Sequence, residues 1–196
     1  MTERPTAVHE KSDEELIREF QDGNDAAFTL LVGRYKDHLI NYIYRYVGDS
    51  DEADDILQEV FVRVYHKKKT YRPIAKFSTW IYTIAANLCK TELRRRGRHF
   101  FLSLSKGKSG TDERMYEIPD SRYLSDSDAE RLSDHEMIQN ALMKLPAKYR
   151  EVIILSDLQE LTYEEISEIT GLNIGTVKSR LNRGRARLQK LLKDIF

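Results

Sequence analysis

An all-α fold with two small helical domains is predicted for this chain by three features of its sequence. Apolar residues recur at intervals of three and four over most of the 196 residues, the period of helices that bury one face. Polar motifs that cap helices precede several of these stretches. A segment rich in Gly, Ser and Asp then interrupts the pattern for longer than loops inside compact domains usually do. We therefore expect a domain over 10–97, a flexible linker over 98–131 and a second domain over 132–196.

The first two helices of the first domain are predicted from capping residues and apolar spacing. Ser12 and Glu15 form a capping box, which indicates that a helix begins there. Asp25 is placed to cap a second helix, whose apolar residues recur through 26–47. Gly48 follows as the residue that ends it.

Two further helices complete the predicted four-helix bundle of this domain. Asp51 begins the third, in which an apolar stripe lies opposite acidic side chains. Residues 68–76 contain Pro73 and no helical period, so they are predicted to form a loop. Ser78 is then placed to cap a fourth helix over 79–96.

The second domain is predicted to contain a helix-turn-helix. A helix over 134–145 is followed by Pro146, which suits the first position of the next helix. Thr162 and Glu165 form a second capping box, and the short helix that they open ends at Gly171, where the turn requires a positive φ angle. The last helix is expected to run from about residue 174 to the terminus.

One half of this last helix is predicted to be buried and the other to bind DNA. At about 100° per residue, an apolar stripe groups around Val177, with Leu181, Gly184, Leu188, Leu191 and Leu192. The opposite half is rich in Arg and Lys with no acid, and its first turns suit base edges, where Arg and Lys read guanine and Asn reads adenine. The helix supplies seven candidates for DNA contact: Thr176, Lys178, Ser179, Arg180, Asn182, Arg183 and Arg187. Arg185, Arg187 and Lys190, further along, are placed for phosphates. The alternative is an ordinary solvated basic helix.

The fourth helix shows a comparable division, with a different chemistry on its exposed side. Phe77, Ile81, Ile84, Ala85 and Leu88 lie on one side, and Trp80, Thr83, Asn87, Lys90 and Arg94 lie on the other. An aromatic ring beside amide, hydroxyl and cationic groups suits unpaired bases, which stack on ring faces while cations hold the backbone. Trp80 as a core aromatic is the alternative.

Composition and charge exclude several classes of protein. The formal net charge is zero, but residues 49–59 hold six acids and no base, which predicts separate surfaces for separate partners. The single cysteine, Cys89, excludes an internal disulfide and is expected in the core. No apolar run approaches the ~20 residues that span a bilayer, so we expect a soluble, intracellular protein with no direct membrane insertion. The five histidines are scattered and no Gly-rich phosphate loop is present, so we expect no metal, cofactor or catalytic site.

Three segments together resemble a known family. They are DEADDILQEVFVRVY, FSTWIYTIAANLCKTELRRR and LPAKYREVIILSDLQELTYEEISEITGLNIGTVKSRLNRGRARLQ. In this order they are similar to the group four, or extracytoplasmic-function, sigma factors, which are specificity subunits of bacterial RNA polymerase. The resemblance extends from Ser12 to Leu192. It departs at Asn182, where some relatives have an aromatic residue, and at Ser167, which replaces a frequent alanine.

The resemblance implies functions for three sets of residues. The acidic third helix would bind the coiled coil of the largest polymerase subunit, through Asp51, Asp54, Asp55, Gln58 and Glu59. The loop and the fourth helix would recognise and melt the minus-ten promoter element, with eight candidates: Lys76, Ser78, Thr79, Trp80, Thr83, Asn87, Lys90 and Arg94. Residues 172–190 would read the minus-thirty-five element as duplex DNA. The second domain is also expected to meet the polymerase flap.

The resemblance further implies regulation and location. Members of the family are commonly inhibited by an anti-sigma factor, so the expected partners are core polymerase, promoter DNA in duplex and single-stranded form, and an anti-sigma factor. The expected location is the bacterial cytoplasm, with the chain held at the inner membrane through that anti-sigma factor. Two alternatives stay open: a stand-alone activator that binds duplex DNA without polymerase, and a single-strand RNA-binding adaptor.

Overall fold

The structure, a computed structural model, describes residues 11–105 and 126–193, and all regular structure in these ranges is helical. The α-helices are α1 (Asp13–Gln21), α2 (Asp25–Val47), α3 (Ser50–Lys67), α4 (Phe77–Ser105), α5 (Asp126–Lys144), α6 (Ala147–Ile153), α7 (Tyr163–Thr170) and α8 (Ile174–Lys193). A 3₁₀ turn, Lys68–Thr70, follows α3, and a π-helical turn, Ile154–Leu158, follows α6. The predicted all-α fold with two helical domains is confirmed.

The first four helices form the predicted bundle. Helix α2 packs against α1, α3 and α4, and α3 packs against α4. The buried side of α4 contains Phe77, Ile81, Ala85 and Cys89, all fully buried, whereas Ile84 is half-buried. Cys89 therefore lies in the core, as expected.

Both predicted capping boxes are present. Ser12 Oγ accepts from the Glu15 amide and Thr162 Oγ1 from the Glu165 amide, while each glutamate accepts from the backbone amide of its partner. Gly48 and Gly171 end α2 and α7 with φ angles of 80° and 72°, in the left-handed region that glycine adopts without a steric cost. Local capping chemistry thus sets these boundaries.

The predicted starts of α2, α3 and α6 were each wrong by one residue. Asn24, and not Asp25, caps α2, and Asp49 caps α3, so that Asp51 lies in its first turn. In each case the earlier residue has extended backbone and its side-chain oxygen accepts an amide hydrogen bond, while the following acid gains from the positive end of the helix dipole. Pro146 is the N-cap of α6 and not its first residue, because its carbonyl accepts the first intrahelical bonds.

Helix occupies both ends of the range predicted as linker. Helix α4 continues past 96 to Ser105, and α5 begins at Asp126, before the predicted start at 134. Gly97 lies inside the helix, and residues 98–105 contain no proline that would end it. Residues 106–125 lie outside the described residues. In the two described ranges, no helix is long and apolar enough to cross a bilayer.

The C-terminal end of α2 joins the two domains. The last carbonyls of a helix lack intrahelical donors, and three side chains supply them here. Gln139 Nε2 donates to Tyr44 O at 3.1 Å, Arg150 Nη1 to Tyr46 O at 2.6 Å, and Arg96 Nη1 to Val47 O at 3.0 Å. Two of these donors are cations at the negative end of the helix dipole, and Gln139 and Arg150 belong to the second domain.

Gly48 leaves room for the Met143 side chain across this junction. A Cβ atom built at Gly48 would lie 2.5 Å from Met143 Sδ, whereas a Cβ at Gly171 would meet no atom within 4 Å. We expect Gly171→Ala to cost about 1–2 kcal/mol of unfolding free energy, the usual cost of a left-handed residue with a side chain. Gly48→Ala should cost more, because Met143 must also move. Urea denaturation of both variants measures the difference, and equal losses would show that the Met143 contact contributes nothing.

Candidate nucleic-acid and polymerase interfaces

The start of α4 is positioned by a residue of α1. Glu14 Oε1 accepts a hydrogen bond from the Phe77 amide at 3.1 Å, and the Trp80 amide bonds to Lys76 O. The helix therefore begins at Phe77, and the prediction that Ser78 caps it was wrong. The cap comes from a side chain 63 residues away in sequence, which local patterns could not indicate.

The loop before α4 is held by polar contacts from inside the bundle. Gln21 Nε2 donates to Lys68 O at 2.7 Å and to Tyr71 O at 3.2 Å, and Tyr71 Oη donates to Ala75 O at 2.9 Å. Beyond this fixed base Ile74 is 93% exposed. An apolar side chain presented on a fixed loop beside aromatic rings can contact an unstacked base.

Trp80 belongs to an aromatic group at the mouth of this loop. Its ring centroid lies 5.4 Å from that of Tyr71 and 5.9 Å from that of Phe77, with tilted planes. Tyr71 and Phe77 are buried, whereas Trp80 is half-buried. Trp80 is thus in part a packing residue and in part available, which combines the two alternatives that the sequence left open.

The other candidates of α4 differ in exposure. Lys76, Asn87 and Arg94 are exposed, Ser78, Thr83 and Lys90 are half-buried, and Thr79 is 4% exposed. Buried Thr79 is not accessible to DNA in this arrangement. An open cleft of about 400 Å³ lined by Thr91, Arg94 and Arg98 extends the basic face by one turn and suits a phosphate backbone.

The acidic side of α3 faces solvent. Asp51, Asp54, Asp55, Gln58 and Glu59 are all exposed, while the opposite side buries Ala53, Ile56, Val60 and Val64. Two apolar side chains lie on the same exposed side toward the C-terminus of α3: Val62 is 48% exposed and Tyr65 is 42% exposed. A protein partner could therefore bury apolar area there beside the acids. A helical wheel of α3 places Val62 and Tyr65 on the same side as the acidic residues, so the sequence alone could have identified them.

The helix-turn-helix is formed by α7 and α8. Ser167 Oγ donates to Leu172 O at 2.5 Å across the turn, so this departure from the family pattern has a structural role. Asn173 Oδ1 accepts from the Thr176 amide at 2.8 Å and caps α8. Val177, Leu181 and Gly184 are buried as predicted, whereas Leu188, Leu191 and Leu192 of the same predicted stripe are half-buried. Gly184 leaves room for Ile153, whose Cδ1 would lie 2.8 Å from an added Cβ.

The seven candidates of α8 differ in exposure. Lys178, Asn182, Arg183 and Arg187 are exposed, and Thr176, Ser179 and Arg180 are half-buried. Arg187 lies over the Tyr149 ring at 4.8 Å and Lys178 over the Tyr163 ring at 5.6 Å, contacts that hold each cation in place. Arg185 instead forms a bidentate pair with Asp157, at 3.0 and 2.5 Å. A phosphate would therefore have to compete for Arg185.

The second domain covers part of the α4 face, a relationship that the sequence did not indicate. Lys76 Nζ lies 2.9 Å from Glu165 Oε1, Tyr82 Oη donates to Gln159 Oε1 at 2.5 Å, and Lys90 Nζ lies 2.8 Å from Glu151 Oε1. Gln159 follows the π-helical turn. In the sequence, Glu151 is recognisable as an acidic residue inside the largely apolar stretch YREVIIL.

The environment of Glu151 raises the pKa of its carboxyl group. Burial is the main cause, and the neighbouring Lys90 ammonium and the Arg180 guanidinium oppose it. The side chain is only 4% exposed. No group of three or more His, Cys, Asp or Glu side chains that could hold a metal ion occurs in the part of the chain that the structure describes.

Comparison with known proteins agrees with this architecture. A family model described as sigma-70 region 2 matches residues 31–99, and one described as sigma-70, region 4 matches residues 135–188. Two helical domains, one with an aromatic and basic helix and one with a helix-turn-helix, are thus the DNA-reading domains of a sigma factor, a transcription initiation factor and not an enzyme.

Relatives with similar sequences identify the class of sigma factor to which the chain belongs. The chain is 38% identical over 181 residues to the ECF RNA polymerase sigma factor SigW of Bacillus subtilis, covering 91% of this chain and 96% of the relative. It is 31% identical over 191 residues to the ECF RNA polymerase sigma-E factor of Haemophilus influenzae, covering 94% and 97%. The chain therefore belongs to the extracytoplasmic-function sigma factors, which direct RNA polymerase to promoters.

Solved structures share the fold. The sigma factor RpoE, in complex with the anti-sigma factor NepR from Bartonella quintana, superimposes with a TM-score of 0.68 at 28% identity, over 85% of this chain and 96% of that one. CnrH, in complex with the cytosolic domain of CnrY, gives a TM-score of 0.69 at 24% identity over 94% and 99%. Both superpositions extend over most of this chain.

Proposed function

We propose that this sigma factor divides promoter recognition among three surfaces. The acidic face of α3 binds the coiled coil of the largest polymerase subunit. The loop 68–76 and α4 read and melt the minus-ten element, and α8 reads the minus-thirty-five element as duplex DNA. The observation that carries this proposal is the presence of one exposed acidic face on α3 and of two basic faces, on α4 and α8, in a chain of zero net charge.

The acidic face of α3 suits a basic partner. Its carboxylates lie on one side of a rigid helix and attract a basic coiled coil before contact, which raises the association rate. Val62 and Tyr65 on the same side add apolar area that can be buried once the partner docks. The second domain would make a further contact with the polymerase flap.

The α4 face suits separated strands. Trp80 offers part of a ring for stacking, Asn87 offers an exposed amide for a base edge, and Arg94 beside the basic cleft holds the backbone. Capture of one unstacked base on the protein offsets part of the few kcal/mol that unstacking costs. Melting then follows from binding energy alone.

The α8 face suits a closed duplex. The first turns of a recognition helix approach base edges in the major groove, and Lys178, Asn182 and Arg183 are exposed there. Arg187, one turn further along, is held over Tyr149 and is placed for a phosphate. The chain acts in the cytoplasm, where it binds core polymerase and promoter DNA.

Regulation by an anti-sigma factor is part of the proposal. The solved relative from Bartonella quintana is bound to an anti-sigma factor, and the two domains of the present chain already pack on each other. An inhibitor that clamps both domains would hide the polymerase-binding and DNA-binding faces together. If that inhibitor is membrane-bound, it holds this sigma factor at the inner membrane until a signal releases it.

Promoter opening tests the α4 assignment. We expect Trp80→Ala and Asn87→Ala to reduce opening roughly 5- to 150-fold, the effect of losing about 1–3 kcal/mol of base contact, with core binding unchanged. Permanganate reactivity of unpaired thymines at a promoter that this factor transcribes measures opening. The matched control is Asn41→Ala, the same substitution at an exposed position of α2. Loss of core binding in Trp80→Ala or Asn87→Ala, or opening equal to that of the control, would refute the assignment.

A further inference from the structure

Two cations on opposite flanks of α8 lie over tyrosine rings. Lys178 Nζ is 5.6 Å from the centre of the Tyr163 ring, and Arg187 Cζ is 4.8 Å from the centre of the Tyr149 ring. At 100° per residue Lys178 and Arg187 project about 180° apart around the helix. The recognition helix therefore has an aromatic ring on each flank, and each ring attracts one cation.

The Tyr163 ring is fixed by the start of α7. Tyr163 is the first residue of this helix, directly after the capping residue Thr162, and its half-buried side chain packs against the hydrophobic core. Lys178, in contrast, is exposed, and its ammonium group sits at the end of a flexible four-carbon stem. The contact therefore joins a flexible cation to a fixed ring.

A second cation of α8 lies beside the same tyrosine. Arg185 follows Lys178 by seven residues, so both project on the same side of the helix, about 10.5 Å apart along its axis. Arg185 donates to both carboxylate oxygens of Asp157, at 3.0 and 2.5 Å, and to Ser156 Oγ at 3.3 Å. The hydrogen bonds to Asp157 are the main cause that raises the pKa of the Arg185 guanidinium, and the nearby Tyr163 side chain adds to it. Arg185 is thus held by a carboxylate, whereas the ring of Tyr163 holds Lys178.

A lysine that reads a base needs such an anchor more than an arginine does. The guanidinium group of arginine presents its donors in a rigid planar fork, whereas the lysine ammonium is a point charge whose donors rotate. Ordering a free side chain at an interface lowers the affinity of binding. A ring that already holds the ammonium reduces this loss, and it also limits the base edges that the ammonium can reach.

We propose that Tyr163 is a positioning residue for recognition of the minus-thirty-five element, and that its ring directs the Lys178 ammonium toward the edge of a guanine. The proposal rests on the base-reading role of α8. Both residues belong to the second domain, in α7 and α8, so their contact does not depend on α4. A purely structural role of Tyr163 would instead affect all promoter sequences alike.

A double-mutant cycle with the holoenzyme tests the proposal. Tyr163→Leu keeps an apolar side chain without the ring, and Tyr163→Phe keeps the ring. Lys178→Ala is made alone and together with Tyr163→Leu. Transcription from promoters with each base at each minus-thirty-five position measures base preference, and circular dichroism monitors the fold. Tyr163→Met is a second substitution without a ring, for the case in which leucine destabilises the domain.

We expect Lys178→Ala to remove a preference for guanine at one position. Tyr163→Leu should reduce the preference at that same position roughly 2- to 10-fold, the effect of releasing one ordered side chain. Tyr163→Phe should keep the preference of the parent, because its ring still attracts the ammonium. When Lys178 is already alanine, Tyr163→Leu should cause no further change in preference, since the ring then has no cation to direct.

Three results would overturn the proposal. The first is a uniform loss of transcription in Tyr163→Leu, or equal effects of Tyr163→Leu and Tyr163→Phe. The second is an effect of Tyr163→Leu on base preference that persists in full without Lys178, because the tyrosine would then act on another residue. The third is a Lys178→Ala variant with the base preference of the parent, which would also contradict the base-reading role of Lys178 itself.

Discussion

Replacement of Asp54 by lysine is expected to lower the affinity for core RNA polymerase about 10- to 100-fold. The side chain is exposed on α3, opposite the buried Ala53 and Ile56. A lysine there would face a basic coiled coil, and like charges at an interface cost several kcal/mol when fully desolvated and less at a rim. Most of the loss of affinity should come from slower association, and this loss should diminish as added salt screens the charges. Stopped-flow binding to labelled core polymerase measures both effects.

The matched control is Asp37→Lys, an identical charge reversal at an exposed position of α2. This variant should bind core polymerase as the parent does. The thermal unfolding of both variants should stay close to that of the parent, since neither position is buried. An unfolded Asp54→Lys protein would mean that Asp54 is structural, and equal affinities for the two variants would remove α3 from the polymerase interface.

Replacement of Arg183 by alanine is expected to relax base preference at one position of the minus-thirty-five element. Arg183 is exposed in the first half of α8, where a recognition helix reaches base edges. A good bidentate contact between arginine and guanine contributes about 1–3 kcal/mol of discrimination, or roughly 5- to 150-fold. The holoenzyme should therefore transcribe promoters mutated at that position almost as well as the parent promoter.

Arg187→Ala provides the comparison on the same helix. Arg187 lies over Tyr149 and is placed for a phosphate, so its loss should weaken binding to all sequences alike and reduce the salt dependence of binding. Transcription from a library of minus-thirty-five variants distinguishes the two patterns. A uniform loss in Arg183→Ala, or a change in base preference in Arg187→Ala, would reverse the two assignments.

Local sequence patterns were sufficient for most of the fold. Both capping boxes, the glycines that end α2 and α7, and the buried stripe around Val177 were predicted, because each depends on residues within about one turn of one another. The errors at Asp25 and Asp51 also arise from the use of local sequence patterns. Polar residues that lie one or two positions apart can each cap a helix, and the backbone conformation decides between them.

Contacts between distant residues could not be predicted. The cap of α4 comes from Glu14, and the loop 68–76 is fixed by Gln21, so neither has a local signal. Periodicity assigned Trp80 to the exposed side of α4, but two neighbouring rings make it half-buried. A helical wheel describes one helix, whereas burial depends on what packs against it.

The same limit applies to the junction between the domains. Thr79 and Lys90 lie on the side of α4 that periodicity assigns to solvent, but Thr79 is 4% exposed and Lys90 pairs with Glu151 of the second domain. Glu165 was identified from its capping box alone, although it also pairs with Lys76. One carboxylate thus serves a local and a distant contact, and only the local one is visible in sequence.

The separate faces have a consequence for initiation. A sigma factor that reads two promoter elements must present α4 and α8 at the spacing of those elements, whereas here α7 lies against α4. A partner shifts a conformational equilibrium only by its difference in affinity for the two states, so we expect core polymerase to bind the chain with separated domains more tightly than the closed one.

Run-off transcription with purified core polymerase tests the central claim most directly. Templates carrying promoters selected with this factor are transcribed by core polymerase with and without the chain, and the transcript ends are mapped. We expect the chain to bind core polymerase, and transcripts to begin at one defined position downstream of a minus-ten and a minus-thirty-five element only when the chain is present. A chain that does not bind core polymerase, or that binds without changing where transcription starts, would contradict it.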